Sequence, residues 1–150
     1  MSLSIHSQEK VLDSLKNQLE NAKVDTTKIN ILIQLSNLCS EEDILKYAQP
    51  ASILAQNLIL SKDANLKLKG QRSFADACNN IGYAYQSQGD IPSSMAYYQK
   101  SLEIRKQIND QRGLGDSYIN IGYTHEQKGD IPKALEHYHK ALECYEKVNN

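Results

Sequence analysis

One stretch of this chain is written twice. Residues 72–110 and 112–150 align without a gap, offset by forty positions (122 − 82, from Gly82 to Gly122). Each copy carries the same phrase. Asn80-Ile81-Gly82-Tyr83 precedes Gly89-Asp90-Ile91-Pro92, and Asn120-Ile121-Gly122-Tyr123 precedes Gly129-Asp130-Ile131-Pro132. Self-similarity at a period of about 20–50 residues signals stacked supersecondary units, each too small to bury its apolar face without a neighbour. The 150 residues therefore read as one repeat domain with a continuous core.

The spacing within each copy describes a pair of helices. In one copy it runs Cys78-x2-Ile81-Gly82-x2-Tyr85, then Ser94-x3-Tyr98; in the other, Tyr118-x2-Ile121-Gly122-x2-His125, then Ala134-x3-Tyr138. Positions 78, 81 and 85 follow i, i+3, i+7 and share one face of a first helix. Gly82 and Gly122 each cost about 1 kcal/mol of helix propensity relative to Ala, so something must offset them. The expected reason is close approach of the second helix at the small residues Ser94 and Ala134. Gly89-Asp90 and Gly129-Asp130 read as a helix stop followed by an N-cap, with Pro92 and Pro132 in the first turn, where no N–H is needed. Met95, Tyr98, Leu102 and their counterparts Leu135, Tyr138, Leu142 line the second helix, and the small Ser101 and Ala141 admit the next unit.

These spacings resemble the tetratricopeptide repeat pattern of a large residue, Leu-Gly, an aromatic, and then Ala-x3-Phe. The resemblance covers the last two repeats strongly and residues 25–60 more loosely. It implies an all-α fold, an α-solenoid wound as a right-handed superhelix, with about three repeats behind an N-terminal helix. Residues 1–150 would then divide into a helix over 8–23, a divergent first repeat over 26–60, an extended helix or joint over 61–71, and repeats over 72–110 and 112–150. The repeat positions would be Ile81, Gly82, Tyr85, Ser94, Tyr98 and Ser101, matched by Ile121, Gly122, His125, Ala134, Tyr138 and Ala141. Several details depart from the pattern. Val24-Asp25-Thr26 offers a cap, and Ser40-Glu41-Glu42-Asp43 reads as a capping-box-like start. Pro50 falls within a helical pattern and is expected to kink or break it.

Composition narrows the function. Seventeen basic side chains stand against eighteen acidic ones with no basic patch, which argues against nucleic acid, since phosphate binding needs clustered Lys and Arg. Cys39, Cys78 and Cys144 lie far apart without CxxC spacing and read as buried small hydrophobes. No apolar run approaches the roughly 18 residues that span a bilayer. No nucleophile elbow, P-loop, HExxH or calcium-loop motif occurs. Of the four histidines, His6 stands apart, and His137 and His139 diverge on a helix. A His125–His137 pair is conceivable across a hairpin, but His125 stands where the other copy has Tyr85, so aromatic packing is the better expectation. The reading is a binding module rather than an enzyme, with no cofactor and no metal.

In arrays of this family the first helix of each unit lines the concave surface. Carried over, the groove-facing set is Asn30, Gln34 and Asn37, then Asp76, Asn79, Asn80, Tyr83 and Gln86, then Asp116, Ile119, Asn120, Tyr123 and Glu126. Asn and Gln amides donate and accept together and suit the backbone of an extended peptide; Tyr83 and Tyr123 add amphipathic contact area. The other reading of the same residues is a solvated polar face, with Asn80 and Asn120 bonded inside the stack. The forty-residue period and the Asn-Ile-Gly phrases are similar to N-terminal regions of bacterial signalling proteins, which join such repeats to histidine kinases, adenylate or guanylate cyclases, or DNA-binding regulators. That resemblance implies a sensory or scaffolding module cut from a longer protein. A stand-alone adaptor, a peptide-responsive regulator of transcription, or a module self-associating through Leu135, Tyr138, Leu142 and Tyr145 are the alternatives. Unpaired cysteines and the lack of an apolar leader at Met1-Ser2-Leu3-Ser4 favour the cytoplasm, with an extracytoplasmic sensor as the alternative.

Overall fold

The computed structural model describes residues 5–149. Seven α-helices follow one another among these residues, with no strand between them. They are α1 (Ile5–Asn21), α2 (Asp25–Leu38), α3 (Ile44–Ile59), α4 (Ala64–Ser87), α5 (Ile91–Gln107), α6 (Gln111–Gln127) and α7 (Ile131–Asn149), with a short 3-10 turn at Glu41–Asp43 ahead of α3. Each helix packs on its neighbours in the chain. In addition α2 touches α4 and α4 touches α6, whereas no comparable contact joins α3 to α5 or α5 to α7. The stack therefore closes on the side of α2, α4 and α6, which makes that side its inner wall.

The glycines explain how each hairpin closes. A Cβ on Gly82 would stand 2.7 Å from the ring of Tyr98 and 3.2 Å from the Ser94 carbonyl; a Cβ on Gly122 would stand 2.7 Å from the ring of Tyr138 and 3.2 Å from the Ala134 carbonyl. The surroundings are equivalent across the repeat. The expected close approach is present, but its tightest partner is the tyrosine ring one turn beyond the small residue. Tyr98, Ser94 and Ser101 are completely buried. Burying an aromatic side chain is worth roughly 2–3 kcal/mol, against about 1 kcal/mol lost by a helical glycine, so ring burial prevails. Gly89 and Gly129 end their helices at φ 79° and 75°. Asp90 then accepts from Ser93 N at 3.1 Å and Asp130 from Lys133 N at 3.4 Å, as N-caps do.

The first repeat departs from the others in several ways. Pro50 does not break α3, which runs on to Ile59. Pro50 lies on the exposed side while Ala48, Ala51 and Ala55 are fully buried on the other, so packing of the inner face carries the helix past the missing bond. Residue 24 at the start of α2 is Val24, whose side chain caps nothing. Ser40 bonds the Asp43 carboxylate at 3.4 Å instead of a backbone N–H. The stretch between Leu58 and Gln71 contains a turn after Ile59 and then helix from Ala64, started by Asp63, which accepts from Asn65 N at 2.8 Å and Leu66 N at 3.1 Å. α4 is thus longer than α6, at 24 residues against 17. Its extra turns cross α3 at Gly70, where a Cβ would meet the backbone of Ile59 at 2.8 Å. α1 lays Leu15 against Leu32, Leu35 and Tyr47 and covers one end of the stack.

A second equivalence runs along the outer side. Tyr85 stacks on Tyr97 with ring centroids 5.7 Å apart and planes at 18°; forty positions on, His125 stacks on His137 at 5.3 Å and 22°. His125 thus has the packing role of Tyr85. Of the four residues named for self-association, Tyr138 and Tyr145 turn inward over Gly122 and Gly115, and Leu135 and Leu142 stay exposed. Cys78 and Cys144 are buried, Cys39 half-buried, and all three are unpaired; burial pushes the Cys78 thiol up to about 12.

Two outcomes follow from these contacts. Gly82→Ala and Gly122→Ala should each lower stability by about 1–3 kcal/mol in urea melts, despite the better helix propensity of Ala; a gain at either position would show that its tyrosine ring is not seated on the glycine. Burial, and then the charge His137 would carry, holds His125 below its ordinary value of 6.5 against the opposing pull of Asp130. A folded value below the unfolded one means that this contribution is present above about pH 6.5 and is lost as the pH falls. Thermal midpoints should therefore drop more between pH 7 and 5 for the natural chain than for His125→Tyr/His137→Tyr, which copies the Tyr85–Tyr97 pair. Parallel curves would refute the assignment.

Candidate functional site

The inner wall brings the polar residues of α2, α4 and α6 onto one surface. Two hollows lie along it, of about 340 Å³ and about 520 Å³. They share Asn37 and Asn80 and so form one groove. Asp76, Asn79, Asp116 and Asn120 line the smaller hollow, and Tyr83 lines the larger beside Ser36 and Glu41. Asn30 borders a further hollow with Arg72 and Asp76. Gln34, Ile119, Tyr123 and Glu126 are exposed and line none of these three.

Most of these side chains are held by bonds within the protein. The carboxamide nitrogen of Asn80 donates to Ser36 Oγ at 2.6 Å and to Asn37 Oδ1 at 2.7 Å. Asn80 is therefore bonded inside the stack. Asn120, its counterpart forty positions on, makes no side-chain hydrogen bond among the described residues, so the internal bonding expected of both asparagines under the second reading is found for Asn80 alone. Tyr83 donates to Glu41 at 2.8 Å. Gln86, expected in the groove, is only 6% exposed. It accepts from the Tyr98 hydroxyl at 2.8 Å and donates to Gln127 at 2.8 Å, which ties its hairpin to the next one.

The carboxylates repeat a single device. Arg105 donates to Asp76 at 2.5 Å and Tyr145 to Asp116 at 2.7 Å, each from the end of the second helix back to the first helix of the same hairpin, 29 residues apart. Likewise Tyr98 donates to Gln86, and Tyr138 donates to Glu126 at 2.6 Å, each 12 residues apart. Arg105 is 4% exposed and is also held by Asp110 at 2.6 Å and Ser101 at 3.2 Å. Burial pushes the Asp76 carboxyl up, although the Arg105 charge pulls it down.

Arg105 was not among the residues expected from sequence. The third repeat has Tyr145 at its position, so alignment of the copies conceals it. One signal was present. Gly113 has Ser73 as its counterpart, and a Cβ on Gly113 would collide with the Arg105 guanidinium. A lone helical glycine thus marked a side chain that must lie across it. No cluster of three or more His, Cys, Asp or Glu suited to a metal ion occurs among the described residues, and His125 and His137 stack face to face rather than converging.

A family model described as tetratricopeptide repeat matches residues 73–147, half of the chain. No curated protein matches it. Among solved structures, the chain is similar to one titled "Crystal structure of MamA", at 18% identity over 99% of each chain with a TM-score of 0.46.

Removal of the buried guanidinium tests the framework of the wall. Arg105→Met should cost about 3 kcal/mol, because Asp76 and Asp110 would lose the cation that joins them. Urea unfolding measures it; a loss below about 1 kcal/mol would mean that Arg105 is not the brace described.

Proposed function

The chain belongs to the tetratricopeptide repeat family, whose members are generally non-catalytic protein-interaction scaffolds, and on that premise we propose that it holds an extended segment of a partner protein against α2, α4 and α6. One observation carries the reading. The polar groups of the wall are fixed by bonds behind them, yet the Asn120 carboxamide faces the groove with neither its donors nor its acceptor engaged. Such groups are ready to pair with a peptide backbone without first being reorganised. Tyr83 and Tyr123, 42% and 47% exposed, supply amphipathic area alongside. No described helix is long and apolar enough to cross a membrane.

The reading extends to a regulatory module of a larger bacterial signalling protein on the resemblance of the repeats alone. A reading frame carrying no kinase, cyclase or other output domain would remove that extension. Stacking of one copy on another is the weaker alternative, since two of the four residues it needed are turned inward.

The test uses short peptides selected from a random display library on the folded chain and mapped by nuclear magnetic resonance. Peptides that shift the amides of 76–83 and 116–123 should bind Asn120→Ala about fivefold more weakly, the worth of roughly one hydrogen bond, with helix content unchanged. Equal affinity would reject the groove assignment. Asn80→Ala is the wrong probe, since it also cuts the bonds to Ser36 and Asn37.

A further inference from the structure

The smaller hollow has a chemistry of its own. Its charged lining consists of Asp76, Asp116 and Arg105. The Arg105 guanidinium is already engaged by Asp76, Asp110 and Ser101, so its charge is offset twice over within the protein. Asp116 accepts only a neutral hydroxyl, that of Tyr145. Arg72 and Arg112 lie one helical turn before Asp76 and Asp116; they border neighbouring hollows with them rather than this one, and neither makes an ion pair among the described residues. Within the lining itself two carboxylates stand against one guanidinium, so negative charge is in excess there. Asp110 and Asp116 both act on Asp76 in the same direction as burial does, opposing its ionisation.

A second observation points to a ligand at the same place. Asn79 is 9% exposed and lines the hollow. Its oxygen accepts from Ser117 at 3.5 Å, but no described residue accepts from its NH2 group. That group is not sealed off inside the protein, so a ligand carbonyl can replace water on it. Ile33 offers an apolar wall beside it, suited to the aliphatic stem of a long cationic side chain. A hollow of about 340 Å³ falls within the range of small-ligand sites, which is ample for one side chain.

We propose that the centre of the groove is a seat for a lysine or arginine of the partner segment, its cation between Asp76 and Asp116 and its neighbouring backbone carbonyl on Asn79 Nδ2. The inference rests on the groove reading above and deepens it to a partner chemistry. A cation there offsets the excess charge, and the carbonyl pairs with the Asn79 NH2 group, so one residue of the partner makes both contacts. An acidic residue would not make both.

The experiment uses the same library peptides that map to the groove. They should share a basic residue, and replacing it with norleucine should weaken binding to the natural chain about fivefold, the upper end for a partly exposed charge pair. Against Asp116→Asn, which keeps an acceptor for Tyr145, the same replacement should matter much less, as coupling requires. Helix content of the variant, followed by circular dichroism, confirms that it is folded. Groove-mapped peptides that are acidic or uncharged at the centre, or norleucine peptides that bind as tightly, would overturn the basic seat and leave the groove reading standing. If no selected peptide maps to the groove, both fall.

Discussion

A tyrosine ring against a backbone that carries no side chain is the contact on which each complete hairpin depends. Gly82 takes Tyr98 and Gly122 takes Tyr138, at the same atoms and the same distances. The glycine weakens its helix locally, and the ring seated on it, fully buried at Tyr98 and half-buried at Tyr138, offsets what is lost. Because the ring comes from the second helix, the contact also fixes the rotation of that helix about its axis. Everything placed one or two turns away inherits that rotation. Gly115 under Tyr145 repeats the device further down the last hairpin.

The inner wall is a consequence of the same rotation. With the second helix locked, its tyrosines and Arg105 reach through the hairpin to groups on the first helix: Tyr98 to Gln86, Tyr138 to Glu126, Arg105 to Asp76, Tyr145 to Asp116. The carboxylates of the groove are thus oriented by donors of their own hairpin and do not depend on a ligand for their position. Affinity is lost when a partner must order the surface it meets, and here much of that ordering is already done.

How much of this was legible in the sequence depended on whether a feature was repeated. Helix pairs, Gly-Asp stops and small residues at crossings appear twice, and each copy corroborated the other. Pro50 does not bring the break because propensity rules describe an isolated helix, whereas three fully buried alanines hold α3 on its inner face. Gln86 misled for a different reason. Its position on the helix points toward the groove in the family pattern, but the hydroxyl of Tyr98 draws it inside, and no single-helix periodicity contains that bond. Asp63 is hidden because the extra turns that it opens at the start of α4 have no counterpart in α6. Gln34, Ile119 and Tyr123 were expected to face the groove; they are exposed but line none of its hollows.

Repetition accounts for the scaffold, so individuality must come from the places where the copies differ. Tyr85 and Tyr97 become His125 and His137, which exchanges a stack of phenols for a stack of imidazoles. Ser73 and Arg105 in one copy correspond to Gly113 and Tyr145 in the other, so a guanidinium stands where the other copy has a phenol, and it lies across the other copy's glycine. The glycine had to change with it, because any side chain at 113 would occupy the space of that guanidinium. Two substitutions that are intelligible only together are hard to attribute to drift in a scaffold. They set one charged, braced carboxylate next to one that is braced by a neutral hydroxyl, and that asymmetry gives an otherwise uniform wall a centre with a preferred sign.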